Sequence, residues 1–270
     1  MTARNYLFAQ TDSDPALTRL IATAASATGF MKGAPGGMLP GWHQLGQDNS
    51  VFLATLHERI KASYPAAGQP FYAMRLWTNL IWQPVYLAVI GVHLHGGLPE
   101  IGHISQTTRN IYVDGYRLAP GPQYRAEPEP MIAKAGADLR AFADAVLLEI
   151  NSLTKLKRVP AQRMLGDYIL GMMKRLRHYR PGTSVEDQQR YCALWLDAMG
   201  LKDAGRLDII DLPDGRPFAI QECKGCCLDY LAMPGTYCDC CPRQDRALRL
   251  ARQRANAIAE MDMQESNGQQ

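Results

Sequence analysis

Six of the seven cysteines lie in one short segment between Cys223 and Cys241, and only Cys192 stands apart. Thiolates are strong ligands for zinc and for iron–sulfur clusters. In a compartment that keeps thiols reduced, such a group of cysteines holds metal or performs redox chemistry more often than it forms structural disulfides. Cys192 lies within a predicted helix and is more simply explained as a small buried apolar residue. The C-terminal segment therefore has the clearest potential for chemistry.

Two four-cysteine patterns can be extracted from this segment. The first is an adjacent pair, ten residues and then C-x-x-C, and it uses Cys226, Cys227, Cys238 and Cys241. The second is two C-x-x-C units separated by eleven residues, and it uses Cys223, Cys226, Cys238 and Cys241. The second pattern is typical of a structural zinc site, in which two such turns close a tetrahedron. Because four thiolates serve zinc and iron–sulfur centres equally well, the spacing alone leaves both open.

The first pattern resembles the C-terminal motif of the FhuF-type ferric-siderophore reductases. The similarity covers Cys226 to Pro242, with Leu and Tyr after the cysteine pair and Pro-Gly midway. The resemblance implies a [2Fe–2S] cluster bound by four residues, which we call the cysteine quartet: Cys226, Cys227, Cys238 and Cys241. Cys223 and Cys240 are additional to the pattern and are alternative ligands. The family consists of cytoplasmic bacterial proteins that reduce iron(III) in imported siderophores, best known for hydroxamates.

The function that this resemblance implies requires one electron and a site for the ferric chelate. Iron(III) is a hard ion that anionic oxygen ligands hold tightly, whereas iron(II) is held far less tightly. One electron therefore makes a stable complex labile, and no nucleophile or acid–base pair is needed. We expect a ferric siderophore as substrate and an electron donor such as a ferredoxin or a flavin reductase. A zinc-stabilised binding module without redox activity and a generic iron–sulfur electron carrier remain alternatives.

The adjacent cysteines pose a geometric problem, because successive side chains of an extended chain point to opposite faces. Gly225 is predicted to supply the backbone freedom that brings both thiols to one cluster. Pro234-Gly235 is predicted to turn the chain back toward Cys238. Nearby basic side chains would stabilise the extra negative charge of a reduced cluster. They are equally well explained as ordinary solvated charges on the surface. These are Lys224, Arg243 and Arg246.

The rest of the chain is expected to form the pocket for the chelate. Such pockets are mostly apolar with a few placed polar groups, which makes aromatic and arginine side chains the candidates. They are Trp77, Trp82, Tyr86, Arg75 and Arg109. Core aromatics and surface arginines remain the simpler explanation. His93, His95 and His103 loosely resemble a metal triad, but structural histidines explain them more simply.

The pattern of elements predicts an α+β fold, predominantly helical with a small antiparallel sheet. Residues 1–222 are predicted to form the siderophore-binding domain, 223–263 the cluster-binding segment with the terminal helix, and 264–270 a polar, frayed tail. Helices are predicted over Pro15–Gly29, Asn49–Tyr64, Phe71–Val92, Met131–Leu156, Pro160–Arg177, Ser184–Gly200 and Gln244–Met261. Strands and turns are predicted over Ile101–Ser105 and Asn110–Leu118, with Asp114-Gly115 as a turn, and a hairpin is predicted to be formed by Arg206–Leu212 and Arg216–Glu222 about Pro213-Asp214-Gly215.

Two further features are predicted from glycine and proline. Gly33–Gly41 is predicted to be a surface loop, with a flap over a substrate pocket as the alternative. Pro84 is predicted to kink or divide the apolar segment that contains it.

The composition is typical of a globular protein and argues against two classes. The chain has 29 basic and 26 acidic residues, a net charge of +3, which is too mild for a nucleic-acid-binding protein. The longest apolar run, Ile81 to Val92, is interrupted by Gln83 and Pro84 and falls short of the roughly 20 residues of a membrane helix. The first residues lack the apolar stretch of a secretory signal. We therefore expect a cytoplasmic protein without a membrane span.

Overall fold

The computed structural model describes residues 14–268, with side-chain surroundings for residues 14–260. The fold is α+β and predominantly helical, as predicted. The helices are α1 (Pro15–Thr28), α2 (Ser50–Ser63), α3 (Gln69–Ile90), α4 (Pro128–Leu153), α5 (Arg158–Tyr179), α6 (Val185–Ala198), α7 (Asp229–Ala232) and α8 (Arg246–Gly268). The strands are β1 (Gly33–Pro35), β2 (Ser105–Arg109), β3 (Tyr112–Leu118), β4 (Gly205–Asp211) and β5 (Pro217–Cys223).

Helix α3 forms the centre of the core. Nearly all of its side chains are buried, as expected for a helix that is apolar on every face, and it contacts α1, α2, α4 and α5. Pro84 was predicted to kink or divide this segment, but α3 continues through it and leads into a π-helical turn, Gly91–His95. Despite its apolar character, neither α3 nor any other helix of the described residues has the length and hydropathy of a membrane span.

A small mixed sheet packs beside α3. Strand β3 lies in the middle, antiparallel to β2 and parallel to β1. Two predictions were wrong here: Gly33–Pro35 forms a strand and not a surface loop, and Asp114-Gly115 lies within β3 and not in a turn. The turn between β2 and β3 instead includes Asn110, whose φ of 57° is a conformation that Asn tolerates better than most residues.

The predicted hairpin leads directly into the cysteine segment. Strands β4 and β5 pair in register from Gly205↔Cys223 to Asp211↔Pro217, and both pack against α5 and α6. The terminal helix is held to β5 because the side chain of Gln253 both accepts from and donates to the backbone of Gln221, at 2.8 and 3.0 Å. Helix α8 runs to Gly268, past the predicted end at Met261 and into the segment predicted to be frayed.

The three histidines considered as a metal triad do not come together. His93 is buried and accepts a hydrogen bond at 3.0 Å from the indole N–H of Trp195. His95 pairs with Gln123 at 2.9 Å. His103 is exposed and lies 3.6 Å from Glu100. They are structural residues, the simpler of the two interpretations of the sequence.

His93 makes the fold sensitive to acid. Burial, with a smaller contribution from Arg180, lowers the pKa of His93 from 6.5 to about 4. Because its pKa is lowered in the folded state, this neutral imidazole stabilises the fold above pH 6.5, and the stabilisation is lost as the pH falls toward 4. By linkage, the loss at pH 4.5 is roughly 2–3 kcal/mol. In urea unfolding, His93→Gln should therefore show a smaller fall in unfolding free energy between pH 7 and pH 4.5 than wild type; an equal fall would contradict this.

Candidate metal centre

The structure divides the six clustered cysteines into two groups. Cys223 and Cys240 form a disulfide, with their Cα atoms 5.5 Å apart. This pairing differs from the expectation that the segment would hold metal or perform redox chemistry rather than form a structural disulfide. It uses the two cysteines that are additional to the reductase pattern, and it leaves all four members of the cysteine quartet as free thiols.

The members of the cysteine quartet lie beside one another. The thiol of Cys238 is hydrogen-bonded to Cys227 and also to Cys241. Cys226 interacts electrostatically with both Cys227 and Cys241. Each member of the quartet therefore has at least one other member as a neighbour. Among the described residues, however, no three Cys, His, Asp or Glu side chains are arranged to hold a single metal ion.

Hydrogen bonds to sulfur distinguish the members of the quartet electrostatically. The bond from Cys238 lowers the pKa of Cys227, and the same bond together with burial raises the pKa of Cys238. Burial raises the pKa of Cys226, while the backbone N–H of Leu228 opposes this rise. The backbone N–H of Asp229 likewise donates to Cys227. Backbone N–H groups directed at thiolate sulfur stabilise its negative charge, as at iron–sulfur centres.

Helix α5 positions the first half of the cysteine segment. The carboxylate of Asp167 accepts hydrogen bonds from the backbone N–H groups of Gly225, at 2.9 Å, and Lys224, at 3.3 Å. A Cβ on Gly225 would lie 2.5 Å from this carboxylate and 2.9 Å from the backbone of Arg163 and of Met164. Burial raises the pKa of Asp167 to about 7, although the two N–H groups oppose this rise. Asp167 thus fixes the loop just before the adjacent cysteines.

The bend that follows the adjacent cysteines lies at Leu228. Its φ of 64° is one of two positive values among non-glycine residues in the described part of the chain. Gly225 was predicted to supply this bend, and that prediction was wrong, because Gly225 is not among the glycines of positive φ. The absence of a Cβ at Gly225 instead allows close contact with α5. The second predicted turn is confirmed. Gly235 has φ of 82°, and Thr236 N–H donates to the carbonyl of Met233 at 3.0 Å.

The basic residues near the quartet are not equivalent. Arg243 lies 4.5 Å over the ring of Tyr230 and acts electrostatically on Cys226 in the direction that favours the thiolate. Arg246 instead pairs with Glu222 at 3.5 Å and with Asp208 at 3.8 Å. Arg243 is therefore the better candidate for stabilising negative charge at the quartet, while Arg246 serves to attach α8 to the hairpin.

A cavity of about 270 Å³ lies next to this centre. We call it the aromatic pocket, and its lining residues include Phe30, Arg75, Trp82, Tyr112, Asp114 and Tyr168. The guanidinium of Arg75 lies 3.7 Å from the carboxylate of Asp229, whose backbone N–H donates to Cys227. One ion pair thus joins the pocket to the cysteine quartet.

The predicted pocket residues are only partly brought together. Arg75 and Trp82 line the aromatic pocket. Trp77 is buried in the core, where its indole N–H donates to the carbonyl of Ala161 at 3.0 Å. Tyr86 packs edge-on against Trp82 at 5.7 Å, and Arg109 pairs at 2.7 Å with the pocket residue Asp114.

The donor set fits a thiolate-ligated cluster: four free thiols, neighbouring N–H donors and one adjacent arginine. Sequence reasoning did not identify Asp167 or Asp229, because the hydrogen bond of Asp167 to Gly225 and the ion pair of Asp229 with Arg75 depend on how α5 and α3 pack. No family model and no solved structure matches the chain.

Proposed function

We propose that the protein is a ferric-siderophore reductase of the cytoplasm, and that the cysteine quartet binds a [2Fe–2S] cluster. The observation that carries this proposal is the division of the cysteines. The four positions of the reductase pattern are free thiols that neighbour one another, while Cys223 and Cys240 bond to each other. A zinc site built from two C-x-x-C units loses support, because Cys223 would have to be one of its ligands.

The residues around the quartet suit a centre that gains and loses negative charge. A bound [2Fe–2S] cluster supplies single electrons. The N–H groups of Leu228 and Asp229 face the sulfurs of Cys226 and Cys227, and Arg243 adds positive charge near Cys226. A single ion pair, between Arg75 and Asp229, lies between the quartet and the aromatic pocket. A ferric chelate bound there would be close to the electron source.

The proposal is tested by anaerobic stopped-flow mixing of the reduced protein with a ferric trihydroxamate and an iron(II)-specific chelator. We expect the visible absorption of the oxidised protein to return while iron(II) is trapped, with one iron(II) per electron delivered. The Cys227→Ser protein is the control and should trap no iron(II). Reduced wild-type protein that transfers no electron to the chelate would contradict the reductase proposal.

The same measurement separates the reductase from a generic electron carrier. A carrier would transfer electrons to a redox protein while leaving the ferric chelate intact. The pocket beside the quartet favours the reductase, because a carrier that docks on a protein surface has no need of a cavity for a small molecule.

A further inference from the structure

The aromatic pocket presents side chains that packing of the core does not explain. Phe30 and Tyr112 are 46% and 49% exposed, although both are large apolar residues. Phe30 lies 5.7 Å from Trp82, ring centre to ring centre, so the rings form a wall that solvent reaches. Exposed aromatic side chains gathered at a cavity are typical of ligand contact.

The charges at the pocket favour an anionic group. Arg75 lies 5.7 Å from the ring of Tyr112, and its Nε atom is buried without a hydrogen-bond partner among the described residues. At the rim, Asp114 is bound by Lys32 at 3.0 Å and by Arg109 at 2.7 Å. The positive charges around the pocket therefore outnumber the negative ones. The three cationic side chains are those of Lys32, Arg75 and Arg109, and the two carboxylates are those of Asp114 and Asp229.

The size of the pocket limits what can enter. Its volume is about 270 Å³. Pockets that enclose a drug-sized ligand are larger, at about 300–1,000 Å³. A ferric siderophore, whose three bidentate arms are joined by a backbone, is larger than such a ligand. A single planar chelating arm, lying between aromatic rings, is of the right shape and size.

We propose that the aromatic pocket binds one flat, anionic, bidentate oxygen-donor arm of the ferric chelate, while the remainder of the complex stays outside. This inference rests on the proposed reductase function and specifies how its substrate binds. The protein would then distinguish its substrates by the chemistry of the chelating arm and not by the siderophore backbone. Hydroxamate and catecholate arms share the required chemistry.

The test uses gallium(III) chelates, which cannot be reduced under these conditions and so report binding alone. Calorimetry at an alkaline pH, where the free arm is deprotonated, would measure the Kd of gallium(III) tris(acetohydroxamate), of a gallium(III) tris(catecholate) and of free benzohydroxamate, a single arm. We expect benzohydroxamate to compete with both chelates. Tyr112→Ala and Phe30→Ala should each raise the Kd by about 3- to 10-fold, as expected for the loss of one aromatic contact.

Tyr124→Ala is the matched control, since Tyr124 is 40% exposed and is not among the residues lining the pocket. Its Kd should equal that of wild type. Unchanged binding in both the Tyr112 and Phe30 variants, or failure of benzohydroxamate to compete, would overturn the inference. If the gallium results hold while the reduced protein releases no iron(II), the reductase proposal fails and the binding site stands. If iron(II) is released but the Kd of the gallium(III) chelates is unchanged by these substitutions, only the pocket assignment fails.

Discussion

Replacing Cys227 with serine is expected to remove nearly all iron and acid-labile sulfide from the purified protein. Cys227 is hydrogen-bonded to Cys238 within the quartet, and serine oxygen is a poor substitute for a thiolate at an iron–sulfur centre. The double variant Cys223→Ser/Cys240→Ser should retain wild-type iron and sulfide, because these two sulfurs are bonded to each other. Elemental analysis and visible absorption measure both outcomes.

A structural zinc site makes the opposite prediction for the same proteins. Two C-x-x-C units would require Cys223 and leave Cys227 dispensable. The disulfide closes a loop with a sequence separation of 17, so the double variant is expected to lose about 3 kcal/mol of stability under oxidising conditions. Purification and assay under a reducing agent keep wild type and the double variant comparable. Iron loss in the double variant, with retention in Cys227→Ser, would refute the ligand assignment.

Replacing Gly225 with alanine is expected to disrupt the centre without altering any thiol or charge. The added Cβ would lie 2.5 Å from the Asp167 carboxylate and 2.9 Å from the α5 backbone, and backbone atoms of a packed helix cannot easily move away. Overpacking of this kind costs about 1–3 kcal/mol. We expect the unfolding free energy to fall by that amount and the iron content to fall well below that of wild type.

Gly102→Ala provides the matched control, because a Cβ at Gly102 has no atom within 4 Å and its φ is not positive. Its stability and iron content should match those of wild type. Asp167→Asn separates the effect of packing from the effect of hydrogen bonding at this contact. It keeps the side-chain volume but removes the carboxylate that accepts from the backbone N–H groups of Lys224 and Gly225. Normal iron content in Gly225→Ala would show that close packing on α5 does not position the quartet.

Local signals in the sequence predicted much of the fold. The carboxylate of Asp14 accepts from Ala16 N–H at the start of α1, and Ser184 caps α6 by accepting from Asp187 N–H at 3.0 Å. The β4–β5 hairpin also forms about its predicted turn. Each of these features depends on residues within a few positions of one another, so a single stretch of sequence contains all the information that they need.

Features that depend on distant partners were missed. Strand β1 exists because Gly33–Pro35 pairs with β3, more than 80 positions later, and the three residues carry no strand pattern of their own. Asp167 holds the cysteine loop across a separation of 58 residues. Spacing likewise identified two possible sets of four cysteines without deciding between them, because the pairing of Cys223 with Cys240 depends on where β5 ends relative to the loop before α8.

The most direct test is a coulometric titration of the native protein, made with ample supply of both iron and zinc and combined with metal and sulfide analysis. The cysteine quartet predicts two irons and two sulfides per chain and the uptake of one electron, with visible absorption that bleaches on reduction. Protein that contains zinc, is colourless and takes up no electron would contradict the assignment of the quartet to a redox centre.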